Sequence, residues 1–212
     1  MSRERARVAI DFFADLTCPW CYIGWETLKR AAAARRDAIA VSVSWRSFLL
    51  SADTPAEGVD RRGYLAQRFA PEQLRAAHAA LEEAAREIGA PLNIDAATRI
   101  PNTVDAHRLV HWAAQDGQAE TMIDALYAAY FVAGEDIGAG SVLVAKAAEA
   151  GLDPLDIAAR LASDLDRQLI VDFHAAAERF GVQGVPVAIF NKRLPVMGAQ
   201  SETTYGKALD AA

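Results

Sequence analysis

Apolar and polar positions along this chain change period twice. Arg7 to Ala14 is an almost unbroken apolar run and predicts a buried strand. From Pro19 to about Arg36 the apolar positions take helical spacing, with Ile23, Leu28 and Ala31/Ala32 on the inner side. Val41 to Trp45 alternates with period two and predicts a second strand that ends near Phe48. The middle of the chain then keeps the helical period. Pro71 to Ile88 sets Leu74, Ala77, Leu81, Ala84 and Ile88 on one stripe, and Gly89 stops it. Asn102-Thr103 precedes a helix over Val104 to Ala114 as its N-cap. Met122/Ile123, Leu126/Tyr127 and Tyr130/Phe131 form a further stripe. Ser141 is expected to cap Val142 to Ala150, and Pro154 to Leu161 and Leu165 to Phe180 supply two more helices. No strand is expected in this block. Gly181 to Gly184 breaks the helical period. Val185 to Phe190 predicts a strand, Asn191-Lys192 a turn, Leu194 to Met197 a second strand, and Ser201 to Ala211 a closing helix.

The order is therefore β-α-β, a helical block, then β-β-α. The chemistry sits at the first strand-to-helix junction. Cys18-Pro19-Trp20-Cys21 holds the only two cysteines of the 212 residues. A thiol pair two apart, at the exit of a strand and the first turn of a helix, is a redox motif in its structural context. The helix N-terminus offers unpaired N–H groups and partial positive charge, which stabilise a thiolate. That selects Cys18 as the nucleophile. Pro19 suits the first helical position because it has no N–H to leave unpaired. Cys21, one turn in, can attack a mixed disulfide on Cys18. A zinc site needs more Cys or His ligands at matching spacing, and the chain has no further cysteine. A purely structural bridge over so short a loop gains little chain entropy. A reversible dithiol/disulfide is the reading that remains. His107 and His111, four apart on one predicted helix, lack a third ligand and read as packing or surface residues. No metal and no tightly bound cofactor are expected.

Joining the two ends gives an α/β fold of thioredoxin type with an all-helical insertion. The expected division is residues 1–50 and 181–212 for the thioredoxin-like part, and 51–180 for the inserted domain, whose last helix leads back. Composition adds boundaries. Hydrophobic residues make up 52% of the chain, enough for a sizeable core. The net charge of −6 argues against nucleic acid and anionic membrane surfaces as partners. No apolar stretch is long enough to span a bilayer. The start, Met1 to Arg7, is charged and lacks the apolar core and cleavage site of a secretory signal, so a cytoplasmic protein is expected.

Cys18-Pro19-Trp20-Cys21-Tyr22-Ile23-Gly24, with Gly184-Val185-Pro186 near the C-terminus, resembles the DsbA-like thiol–disulfide oxidoreductases. More narrowly it resembles their FrnE-type branch, grouped with 2-hydroxychromene-2-carboxylate isomerases and kappa-class glutathione transferases. Pro101-Asn102-Thr103, Ala106-His107-Arg108-Leu109, Tyr130-Phe131, Gly151-Leu152-Asp153 and Val196-Met197-Gly198-Ala199-Gln200 follow in that branch's order. The resemblance implies Cys18 as nucleophile and Cys21 as resolving thiol. It implies a cis Pro186 facing the pair, with the Val185 backbone turned to the substrate. The substrate implied is a disulfide-containing protein or a small thiol, with glutathione as a co-substrate and the chain a monomer or homodimer. The isomerases and transferases of the group carry serine at the place of Cys18, so the intact pair favours redox chemistry. A glutathione-dependent isomerase or transferase acting on a small aromatic or polyketide-like molecule is the alternative.

Three further residues are candidates. Asp11, on the first strand, could relay protons to the resolving thiol, or face solvent, or pair with an arginine. Trp20, between the cysteines, is expected to form a hydrophobic lip for substrate. Asn102 either caps its helix or reaches the cleft from the insertion.

Overall fold

The computed structural model describes residues 5–212; the charged segment Met1 to Glu4 lies outside them. Strand β1 (Ala6–Ala14) lies at the heart of a four-stranded sheet. Helix α1 (Pro19–Ala33) crosses from β1 to the parallel strand β2 (Ile39–Ser47), whose register runs from Ala6 opposite Ile39 to Ala14 opposite Ser47. On its other side β1 meets β5 (Val187–Phe190) antiparallel, Ile10 opposite Phe190 and Phe13 opposite Val187. Strand β6 (Leu194–Met197) closes the order β2-β1-β5-β6. It is an edge strand, the place where Pro195 is tolerated. The two ends of the chain thus share one sheet, and the fold is the thioredoxin-like α/β architecture.

Alternation decides which face each strand residue serves. Val8, Ile10, Phe12 and Ala14 of β1, with Ala188 and Phe190 of β5, point into the main core beside α1 and the C-terminal helix α9 (Glu202–Ala211). Phe13, Val187 and Ile189 point the other way and pack with Ala177 and Val182, at the end of α8 (Arg167–Arg179). Both faces are covered, so β5 reads as an unbroken apolar run.

The helical block contains α2 (Arg61–Arg68), α3 (Pro71–Glu87), α4 (Val104–Gln115), α5 (Ala119–Ala128), α6 (Gly140–Glu149) and α7 (Pro154–Leu161). One hydrophobic core runs from the sheet into this block without a break. Tyr22 of α1 stacks near Phe131 at 5.5 Å between ring centroids and meets Tyr127 at 5.4 Å. Asp124 accepts from Trp25 Nε1 at 2.6 Å and holds Lys29 at 2.6 Å. Within the block the buried Arg108 guanidinium donates to the carbonyls of Arg160, Ser163 and Leu165 and pairs with Asp105. It satisfies carbonyls left over where α7 ends.

The block departs from the pattern-based expectation in several places. It does contain strands: β3 (Val59–Asp60) pairs antiparallel with β4 (Arg99–Ile100). Helix α2 has no counterpart in the sequence pattern, because none of its residues is buried and it carries no apolar stripe. The stripe ending at Phe131 is not one helix. After α5 the chain widens into a π-turn, Ala129–Ala133, and Gly134 ends it with φ 70°. A side chain at Gly134 would strike the Ala96 backbone, so this position requires glycine twice over. Helix α6 starts at Gly140 behind Ala139, and Ser141 does not cap it.

Candidate active site

Cys18 occupies the N-cap of α1, with φ −86° and ψ 112°, and Pro19 begins the helix. The cap geometry brings the Cys21 N–H to 3.4 Å from the Cys18 sulfur, where it donates. Both thiols are free; Cys18 is 4% exposed and Cys21 is wholly buried one turn below. Burial pushes the Cys21 thiol well above its ordinary value, and the neighbouring Cys18 adds to the shift. Cys21 therefore holds its proton.

The second side of the site comes from the far end of the sequence. The Val185–Pro186 peptide bond is cis. The Val185 carbonyl oxygen lies 3.9 Å from the Cys18 sulfur. Pro186 is buried, and its own carbonyl accepts the Gly198 N–H at 2.8 Å. Gly24 of α1 makes the approach close: a Cβ there would stand 3.1 Å from Pro186 Cγ and 3.3 Å from the Tyr205 hydroxyl. Sequence places these groups far apart, and the sheet order sets them side by side.

Asp11 does not join this group. Its carboxylate forms an ion pair with Arg46 at 2.6 Å, on the face of β1 opposite the cysteines. Strand alternation is the reason, since its neighbours Ile10 and Phe12 take the core face. The carboxylate near the thiols is Asp15, three residues before Cys18 and 1% exposed. Its Oδ1 accepts from the Thr17 N–H at 2.9 Å and the Thr17 hydroxyl at 3.0 Å. Its Oδ2 accepts from the Leu50 N–H at 2.6 Å and the Thr103 hydroxyl at 3.4 Å. Its backbone carbonyl takes the Cys18 N–H at 3.3 Å and the Tyr127 hydroxyl at 3.2 Å. Asp15 therefore ties the cysteine loop, the end of β2 and the start of α4 together. The signal that could have found it is its place beyond the last strand residue, where a short polar side chain meets unpaired backbone N–H groups.

Asn102 spends both ends of its amide locally. Oδ1 accepts the Val104 N–H at 3.0 Å and Nδ2 donates to the Thr54 carbonyl at 2.7 Å. It supports the start of α4 and does not line the cavity beside the thiols. Trp20 does: it is 37% exposed and lines, with Thr17 and Pro19, a cavity of about 400 Å³. His107 is buried, and its Nδ1 accepts from Trp45 Nε1 at 3.2 Å. His111 faces Gln115 and Phe173 instead.

A thioredoxin-type sheet, a two-cysteine motif at its first helix and a cis-proline loop across from it define a class. The chain belongs to the family of the DSBA-like thioredoxin domain, which its residues 9–210 match. This is a family of thiol–disulfide oxidoreductases. No curated protein matches the sequence. Among solved structures, a probable DsbA oxidoreductase from Streptomyces coelicolor is similar, with a TM-score of 0.87 and 28% identity over 96% of this chain and 89% of that one. A 2-hydroxychromene-2-carboxylate isomerase gives 0.75 at 17% identity, over 96% and 95% of the two chains. The cytosolic disulfide reductase DsbM from Pseudomonas aeruginosa, solved with GSH, gives 0.64 at 21% over 95% and 94%. At the last two identities the likeness is one of fold. No helix among the described residues is long and apolar enough to cross a membrane.

Proposed function

We propose that the protein is a FrnE-like thiol–disulfide oxidoreductase in which Cys18 is the nucleophile and Cys21 the resolving thiol. In the reducing direction the Cys18 sulfur attacks one sulfur of a substrate disulfide. A Cys18–substrate disulfide forms and the other half leaves as a thiolate. Cys21 then attacks Cys18, its proton passing to the departing group. The enzyme ends as the internal disulfide, and its two electrons leave with the substrate, which departs as two thiols. The observation that carries this reading is the pairing of an N-cap sulfur, placed against the Val185 carbonyl, with a second thiol buried one turn beneath it. The Val185 backbone is the edge against which an extended peptide or glutathione would lie. Substrates of this mechanism are a disulfide-containing protein or a small thiol, with glutathione as the co-substrate that restores the dithiol in a cytoplasmic setting. The division into a thioredoxin-like part, residues 1–50 and 181–212, and a helical insertion suits this use, since the insertion walls the cavity beside Trp20. Reduction of insulin disulfides with dithiothreitol as donor tests the reading. Turnover that needs both cysteines supports it; turnover indifferent to Cys21 removes it.

A further inference from the structure

The cavity beside Trp20 has features that a site for an extended peptide alone does not require. It lies between α2 and α3, and its walls include Trp20, Leu65, Phe69, Leu74, Leu81 and Ile100. The apolar side chains of α2 are not buried against the rest of the protein; they face the empty space. The volume, about 400 Å³, is that of a small-molecule site. No aspartate or glutamate lines it, while Arg61 and Arg68 do. Among the described residues neither arginine pairs with a carboxylate; the one other basic side chain in the wall, His78, has the Asp95 carboxylate 3.6 Å away. Arg68 lies over the Tyr64 ring at 3.5 Å, which fixes its position without neutralising its charge. Thr17 and Pro19, on either side of Cys18, also line it.

We infer that this cavity takes the apolar, anionic half of a small disulfide: an aromatic or branched body seated between α2 and α3, with its carboxylate on Arg61 and Arg68. The inference rests on the redox reading above and names a substrate class for it. The seated half is held with its sulfur toward Cys18. Attack forms the Cys18–sulfur bond to that half and releases the other as a thiolate. Cys21 then displaces the seated thiolate, which takes the Cys21 proton, and the enzyme ends as the internal disulfide. No further oxidant or reductant enters this single turnover.

Stopped-flow reduction of two aromatic disulfides by the dithiol enzyme tests the inference. One is 5,5′-dithiobis(2-nitrobenzoate), which carries carboxylates; the other is the uncharged 4,4′-dithiodipyridine. Arg61→Ala combined with Arg68→Ala should lower the anionic-to-neutral rate ratio about ten-fold, the size of a lost charge-assisted contact. Calorimetric binding of 2-naphthoate, which has no disulfide, should weaken in the same variant and vanish in Ala77→Trp, which fills the cavity. An unchanged rate ratio, or naphthoate binding that survives Ala77→Trp, overturns the inference. Hydroxyethyl disulfide, small and neutral, separates the two readings. If it is turned over while naphthoate fails to bind, the cavity assignment falls and the redox reading stands. If naphthoate binds as described while no disulfide is exchanged, the redox reading falls and with it the assignment of the ligand as a disulfide.

Discussion

Asp15 Oδ2 accepts the backbone N–H of Leu50 at 2.6 Å, across 35 residues of sequence. The same carboxylate holds Thr17 through Oδ1, so a single buried side chain fixes the loop that presents Cys18 against the loop that leaves β2.

Asparagine cannot replace it. Each oxygen already faces a backbone N–H, from Thr17 on one side and Leu50 on the other. An amide NH2 on either side would oppose a donor that cannot reverse. Asp15→Asn is therefore expected to destabilise the fold by about 1–3 kcal/mol, the cost of an unsatisfied buried group. Urea unfolding measures it. A midpoint equal to that of the parent protein would show that the carboxylate is dispensable there.

The Cys21 thiol predicts an alkaline loss of stability. Burial raises its value in the folded protein. Below the unfolded thiol's value, about 8.5, both states keep the proton and stability is whole. As pH rises past that point the unfolded chain releases the proton and the folded one does not, so stability falls until the folded value is reached. The slope from one such group approaches about 1.4 kcal/mol per pH unit. The dithiol protein should lose more stability than Cys21→Ala between pH ~7.5 and ~9.5. Parallel curves for the two would mean that Cys21 ionises as freely in the folded state as in the unfolded one.

His107 predicts the opposite limb. Burial lowers its value, against a smaller pull from Asp15. Its Nδ1 already accepts from Trp45 Nε1, so an added proton would set one N–H against another. Its Nε2 has no partner among the described residues. With the folded value depressed, stability is full above the unfolded value, about 6.5, and declines as pH falls below it. His107→Gln, which can still accept from Trp45, should flatten that decline between pH ~6.5 and ~5. A decline as steep as the parent's would assign the acid limb to other groups.

The fold and the thiol pair were legible because each left a local mark. The period changes at Pro19 and at Gly181 located the two halves of the sheet, and the cysteines lay at a strand-to-helix junction. What was not legible depended on packing. Treating β1 as one apolar run hid the alternation that turns Asp11 to Arg46 and away from the thiols. The place of Asp15 just past β1 marks its local contact to Thr17, but its contacts to Leu50 and Thr103 come only with packing. Helix α2 keeps its apolar side chains toward a cavity, so burial gave its sequence no stripe. Strands β3 and β4 are two residues each and too short for any period to register.

The roles of the two cysteines make the most discriminating prediction. Cys18 stands at the helix cap beside the Val185 carbonyl, and Cys21 is buried beneath it with its proton held. Limiting iodoacetamide should thus label Cys18 first. Cys21→Ser should abolish multiple turnover of a disulfide while accumulating a mixed disulfide on Cys18, because no second thiol remains one turn away to release it. Cys18→Ser should end both the adduct and the turnover, since the remaining thiol is buried and protonated. Mass spectrometry of the intact protein reads the adduct, and insulin reduction reads the turnover. Preferential labelling of Cys21, or an adduct that forms on it in Cys18→Ser, would reverse the assignment. A Cys18→Ser protein that gains glutathione-dependent turnover of a small aromatic substrate would instead favour isomerase or transferase chemistry. There a bound glutathione brings its own sulfur, and the chain's second thiol has nothing to resolve.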